Sequence, residues 1–160
     1  MIFVKATEED VEAVSQLYRQ AIGTEGCTWS EDYPNSEITH GDYQRGDLFC
    51  MKMQDGEIIG AISVDDDQLV EVMDCWSKEL EPVAELSRLV VKEAYQNQGI
   101  ARELLQGAME ELRNRGCKGV HFLVSPGNEK ALRSYAKLHF VHCGDCNLYD
   151  HHWFCYEKPL

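Results

Sequence analysis

Leu86-Ser87-Arg88-Leu89-Val90-Val91 and Gln96-Asn97-Gln98-Gly99-Ile100-Ala101 are separated by only four residues, and Ile100 opens an amphipathic run to Arg115. The first stretch reads as an apolar strand, the second as a glycine turn into a helix. A helix N-terminus leaves successive N–H groups unpaired, and the helix dipole adds positive potential there. Such a turn can hold a phosphate with its backbone. Gly99 allows close approach because it has no Cβ, and the small Ala101 keeps the approach open. The same turn also serves as a plain helix start. The nicotinamide fingerprint is absent, because its second and third glycines are missing, and no Gly-Lys-Ser/Thr of a P-loop follows.

Working outward, Ile2 to Lys5 reads as a strand, and Thr7 as an N-cap with Glu8, Glu9 and Asp10 in the first turn. Val11, Val14, Leu17, Tyr18, Ala21 and Ile22 then follow at helical spacing. Residues 23–36 are rich in turn formers and aromatics, and a short helix is predicted over Ser36 to Gln44. Asp47 to Met53 and Glu57 to Val64 form a hairpin around the turn Gln54-Asp55-Gly56. An irregular stretch holding Trp76 runs to Glu81. Beyond the helix stopped by Gly116, Lys118 to Val124 reads as a strand and Asn128 to Leu138 as a helix. Phe140 to Cys146 and Trp153 to Lys158 are the final strands. The order β-α-α-β-β-β-α-β-α-β-β predicts one α/β domain over residues 1–160, a mixed sheet with helices on both faces.

Fifteen basic residues against 28 acidic ones give a net charge of −13, which argues against nucleic acid as a partner. The charge suits a cationic small molecule or a basic peptide, and equally an acidic surface that only keeps the protein dispersed. No apolar run approaches the roughly 20 residues of a membrane span, and the first residues lack a signal peptide's pattern. Seven cysteines, an odd number, predict reduced thiols and a cytoplasmic location.

The order of elements, with a glycine turn after the fourth strand, resembles the GNAT superfamily of acyl-coenzyme A-dependent N-acyltransferases. Gln96, Gly99 and Ala101 match the family's Gln/Arg-x-x-Gly-x-Gly/Ala signature. Asn128 and Tyr135 match a second motif, and Phe154-Cys155-Tyr156-Glu157-Lys158 looks like the family's last strand. The likeness spans nearly the whole chain. His139 departs from it, standing where the family usually has glycine before Phe140. The resemblance implies a mixed, mostly antiparallel sheet of about seven strands flanked by about four helices.

It further implies acetyl-coenzyme A as acyl donor and no metal. Its pyrophosphate would lie on the N–H groups of Asn97, Gln98, Gly99, Ile100, Ala101 and Arg102, next to Gln96. Its pantetheine arm would pair with the main chain of Leu89, Val90 and Val91, since an extended arm can add to a strand edge. Asn128 and Tyr135 complete the donor site. Tyr135 would protonate the departing thiolate, and a main-chain N–H near Val91 would meet the carbonyl oxygen. Glu85 is the candidate base, because a carboxylate entering an apolar strand loses solvent and gains pKa; it could instead orient a substrate ammonium or pair with Arg88. Trp29, Tyr33, Glu85 and Trp76 are candidate acceptor contacts, with the acidic residues around them suiting a cationic amine. The acceptor could be a small molecule or a peptide, and many relatives pair as homodimers.

Two other readings stand beside this one. The chain could be a catalytically silent acyl-coenzyme A sensor that needs the Gln96–Ala101 loop but neither Tyr135 nor Glu85. Alternatively, Cys143, Cys146, His151, His152 and Cys155 could bind zinc. The apolar content of that segment, Phe140, Val141, Leu148, Trp153 and Phe154, argues instead for a terminal hairpin with Cys143 and Cys155 facing the core.

Overall fold

The computed structural model describes residues 1–160 and contains one seven-stranded sheet in the order β1-β2-β3-β4-β5-β7-β6. The strands are β1 (Ile2–Lys5), β2 (Leu48–Lys52), β3 (Ile58–Asp65), β4 (Val83–Val91), β5 (Gly119–Val124), β6 (Val141–Leu148) and β7 (His151–Pro159). The helices are α1 (Val11–Ala21), α2 (Ser36–Gln44), the single turn α3 (Gln68–Glu71), α4 (Ile100–Asn114) and α5 (Glu129–Lys137). All strand pairs are antiparallel except β4–β5, which is parallel. There are thus five helices where about four were expected. The addition, α3, lies in the stretch read as irregular, where Asp67 caps the turn by accepting from the Leu69 N–H at 3.0 Å.

Two apolar clusters sit on opposite faces of the sheet. Leu104, Leu105, Ala108 and Leu112 of α4 pack with Phe49, Ile59 and Ile62 on one face. Val14, Leu17 and Tyr18 of α1 pack with Leu48, Cys50 and Ala61 on the other. The sheet alternation explains this division, since Phe49 and Met51 point one way and Leu48 and Cys50 the other. Gly107 of α4 lets the helix lie close to β1, because a Cβ there would stand 2.6 Å from the Phe3 ring. Thr7 and Asp10 form a capping box ahead of α1, with the Thr7 N–H donating to Asp10 Oδ2 at 2.8 Å.

Two irregularities in β4 shape the rest of the molecule. Ser87 stands opposite Ser63 and Val90 opposite Ala61, so Arg88 and Leu89 together face the single residue Ile62. This is a β-bulge, and Arg88 takes up the extra residue with φ +49°. On its other side β4 pairs with β5 only at Val83, Ala84 and Glu85. Beyond Glu85 the two strands separate and a cleft opens between them.

The C-terminal segment is the hairpin β6–β7. Cys155 is fully buried, Cys143 is half-buried and donates to the Cys155 carbonyl, and all seven cysteines are unpaired. No three His, Cys, Asp or Glu side chains come together in a group able to hold a metal ion. His139 adopts φ +65°, the conformation for which glycine is the usual residue. No helix is long and apolar enough to cross a membrane.

Candidate active site

The cleft has a volume of about 1860 Å³ and runs between the separated ends of β4 and β5. One wall is the turn into α4. Gly99 is the N-cap residue, with φ +85° and ψ +4°, and a Cβ there would meet nothing within 4 Å. Asn97 is also left-handed, with φ +62°. The N–H groups from Asn97 to Arg102 donate to no group of the protein, whereas Gln96 N–H bonds Glu93 and Glu103 N–H bonds Gly99. Six consecutive free donors at the positive end of a 15-residue helix make an anion cradle. Gln96 itself braces the turn: its Nε2 donates to the Val91 carbonyl at 3.0 Å.

The floor is β4. Leu89, Val90 and Val91 line the cleft, on the side from which β5 has withdrawn. An extended ligand can add there as β5 would have done. Facing this edge are Asn128 and Tyr135 of the α5 segment. Asn128 is the N-cap of α5, its Oδ1 accepting from the Ala131 N–H at 3.2 Å, so its side-chain amide N–H₂ is what remains for a ligand. Tyr135 packs its ring on Phe122 with centroids 4.1 Å apart. Its hydroxyl pKa is pushed up by burial, which keeps the phenol protonated and able to donate.

Glu85 stands where the strands part. It is 6% exposed, and its Oε1 has no hydrogen-bond partner. Burial pushes its pKa up to about 9, the carboxylates of Asp65 and Asp67 add to the rise, and Arg88 opposes it. Glu85 does not pair with Arg88. The arginine donates instead to Asp42, Asp65 and the Tyr33 hydroxyl. Asp65 consequently has a lowered pKa: burial raises it, but the hydrogen bond and charge of Arg88 outweigh burial.

Trp29 and Tyr33 both line the cleft on the α1–α2 side. Trp29 is set edge-on against Tyr18, centroids 5.1 Å apart. Trp76 is not part of the cleft lining. It stacks on His121 at 4.1 Å and its indole N–H donates to the Val70 carbonyl at 2.7 Å. A large aromatic in a loop finds core to cover, and here that core is the buried ring of His121. Sequence reasoning passed over Asp42, which sits in a polar helix with no distinguishing pattern, and Tyr149, an exposed residue at a hairpin tip. Arg88 carried a signal, a lone charge inside an apolar strand, but its partners lie far away in sequence.

The separated β4 and β5, the row of free N–H groups at the start of α4 and the buried Glu85 belong to one cleft. A model of the acetyltransferase (GNAT) family matches residues 12–140, and the chain belongs to that family. Acetyltransferase Atu2258 of Agrobacterium fabrum is 45% identical over 56 residues, a match spanning 35% of this chain and 39% of that protein. Among solved structures, a ribosomal-protein-alanine N-acetyltransferase from Brucella melitensis superposes with a TM-score of 0.78 at 21% identity, over the full length of both chains. The yncA protein of Salmonella typhimurium, solved with its cofactor acetyl-CoA, gives a TM-score of 0.78 at 18% identity, covering 100% of this chain and 94% of that one. At these identities the structures speak for the fold.

Proposed function

We propose that the protein is an N-acetyltransferase that moves an acetyl group from acetyl-coenzyme A to a primary amine of a small molecule or a peptide. The observation that carries this reading is the row of free N–H groups from Asn97 to Arg102, set beside the unpaired edge of β4. These residues fit the donor: the amides and the helix dipole suit a pyrophosphate, and Leu89 to Val91 suit an amide-bearing arm. Bound acetyl-coenzyme A supplies the acetyl thioester.

The chain's own groups divide the remaining work. Glu85 takes the proton from the acceptor ammonium, and the amine then attacks directly. The approach of that cation favours the ionised carboxylate, so the base is made by the substrate it serves. A main-chain N–H near Val91 meets the carbonyl oxygen, and the Tyr135 hydroxyl gives its proton to the departing sulfur. Trp29 and Tyr33 hold the acceptor from the opposite wall. The odd number of cysteines, seven, suits a reducing compartment such as the cytoplasm.

The test is consumption of the thioester by the purified protein across a library of amines and peptides, with coenzyme A affinity measured by calorimetry. Turnover with at least one amine is expected. Binding of coenzyme A without turnover of any acceptor would favour the silent sensor instead.

A further inference from the structure

The two ends of the cleft carry opposite charge. Around the donor end the charged lining residues are Lys92, Glu93, Arg102 and Lys130. The other end, bounded by α2, the end of β3, the first half of β4 and the β6–β7 tip, is lined by seven carboxylates and only two cations, Arg45 and Arg88. Both cations are already engaged. Arg88 holds Asp42 and Asp65, and Arg45 holds Asp42, Asp47 and, at 3.8 Å, Asp66. Glu37, Asp67, Glu85 and Asp150 line the same end with no cation bound to them among the ion pairs of the protein.

Glu85 is the independent sign that a ligand belongs there. It is 94% buried by its 6% exposure, it lines the cleft, and Oε1 meets no donor. A buried acceptor without a donor is costly unless a ligand brings one. An ammonium group does so, and also relieves the repulsion from Asp65 and Asp67. One ammonium at Glu85 leaves Glu37, Asp67 and Asp150 at this end without a counter-charge. The tip of the β6–β7 hairpin reaches over to one of them: Tyr149 Oη donates to Asp67 Oδ2 at 2.5 Å. Tyr149 and Asp150 are both left-handed, at φ +55° and +57°, which is the two-residue turn that aims the tip. This contact places Asp150, next to Tyr149, on the same end of the cleft as Asp67.

We propose that the acceptor is an aliphatic diamine or polyamine, with the reacting nitrogen at Glu85 and a second ammonium held by Asp67 and Asp150. The inference rests on the N-acetyltransferase reading for the fate of the first nitrogen. The binding of the second depends only on the carboxylates.

The experiment compares 1-aminopentane, 1,5-diaminopentane and spermidine as acceptors of the purified protein, by thioester consumption and by calorimetry on the coenzyme A complex. The diamine and triamine should exceed the monoamine in kcat/KM by about tenfold or more, an advantage that shrinks as salt is raised. In the D67N/D150N variant the ratio of diamine to monoamine kcat/KM should fall by about tenfold. Asn at 67 keeps the side-chain oxygen that caps α3, and Asp150 is exposed, so the fold is preserved. Equal kcat/KM for monoamine and diamine would overturn the inference while leaving the transferase standing. Polyamine binding that D67N/D150N weakens, without turnover of any amine, would sustain the cation site and sink the transferase. No polyamine binding to the coenzyme A complex would overturn the inference outright.

Discussion

Arg88 and Asp42 form a bidentate pair, Nε to Oδ2 at 2.9 Å and Nη2 to Oδ1 at 2.8 Å, across 46 residues of sequence. Both side chains are almost wholly buried, 3% and 1% exposed. The third guanidinium nitrogen reaches Asp65 at 2.8 Å and the Tyr33 hydroxyl at 3.0 Å. One left-handed residue at the bulge of β4 therefore ties the donor strand to β3, to α2 and to the acceptor wall. The planar fork of arginine, with donors on three nitrogens, is what allows it.

Replacing this arginine leaves Asp42 with Arg45 as its one remaining cation and Asp65 with no ion pair. Arg88→Met should lower the unfolding free energy by about 3–5 kcal/mol, the usual cost of stranding a buried charge. Urea denaturation measures it. Because the bulge sets the direction of the Leu89–Val91 main chain, KM for acetyl-coenzyme A should rise in the folded fraction as well.

Tyr135→Phe removes the proton donor and keeps the ring that packs on Phe122. We expect kcat to fall by about 10²-fold, with coenzyme A affinity changed by less than about threefold. Steady-state kinetics and calorimetry on the same preparation check both parts. A drop in affinity with kcat intact would make the tyrosine a packing residue.

Glu85 gives a prediction for rate and one for stability. In the wild type kcat/KM should climb with pH toward about 9 as the carboxyl ionises. Glu85→Gln should lose that limb and about 10²-fold in rate. For stability the sign runs the other way, since a carboxyl whose folded pKa is raised from 4.5 to about 9 favours the folded state at low pH. That contribution is fully present below pH 4.5 and is lost as pH rises through about 9. Glu85→Gln should therefore be more stable than wild type at pH 8, by an amount on the order of a few kcal/mol.

His121 acts in the opposite window. Burial lowers its pKa from 6.5 to about 4, opposed by Glu157, and both ring nitrogens lack a partner. A neutral imidazole that must be protonated on unfolding contributes stability above pH 6.5, lost as pH falls through about 4. His121→Phe keeps a ring to stack on Trp76 and has no proton to bind. It should shed about 2 kcal/mol less than wild type between pH 7 and pH 5, read from urea titrations at the two pH values.

Gly99→Ala tests the anion cradle. The added methyl meets nothing within 4 Å, so its cost is the left-handed backbone at φ +85°, about 1 kcal/mol. Any relaxation of that dihedral re-aims the N–H groups beside it. Coenzyme A should bind several-fold more weakly, while the affinity for a fragment lacking the pyrophosphate stays unchanged.

The sequence alone determined the features that depend on neighbours in the chain. The strand over Leu86–Val91 and the helix start at Gly99 were legible because periodicity and turn chemistry act over a few residues, while Asn128 and Tyr135 stood out only through the resemblance to the family's second motif. Even the left-handed backbone at His139 could be anticipated from what it replaces. Tertiary structure alone decided everything that needs two distant segments to meet. Arg88 finds Asp42 rather than Glu85, Trp76 turns away from the cleft to cover His121, and Tyr149 reaches Asp67 across 82 residues. Glu85 was visible as a carboxylate that loses solvent on entering an apolar strand, but its lack of a hydrogen-bond partner and the carboxylates beside it were not. Burial and the company of Asp65 and Asp67 exist only once β3 and β4 have paired, and those are the forces that set its charge.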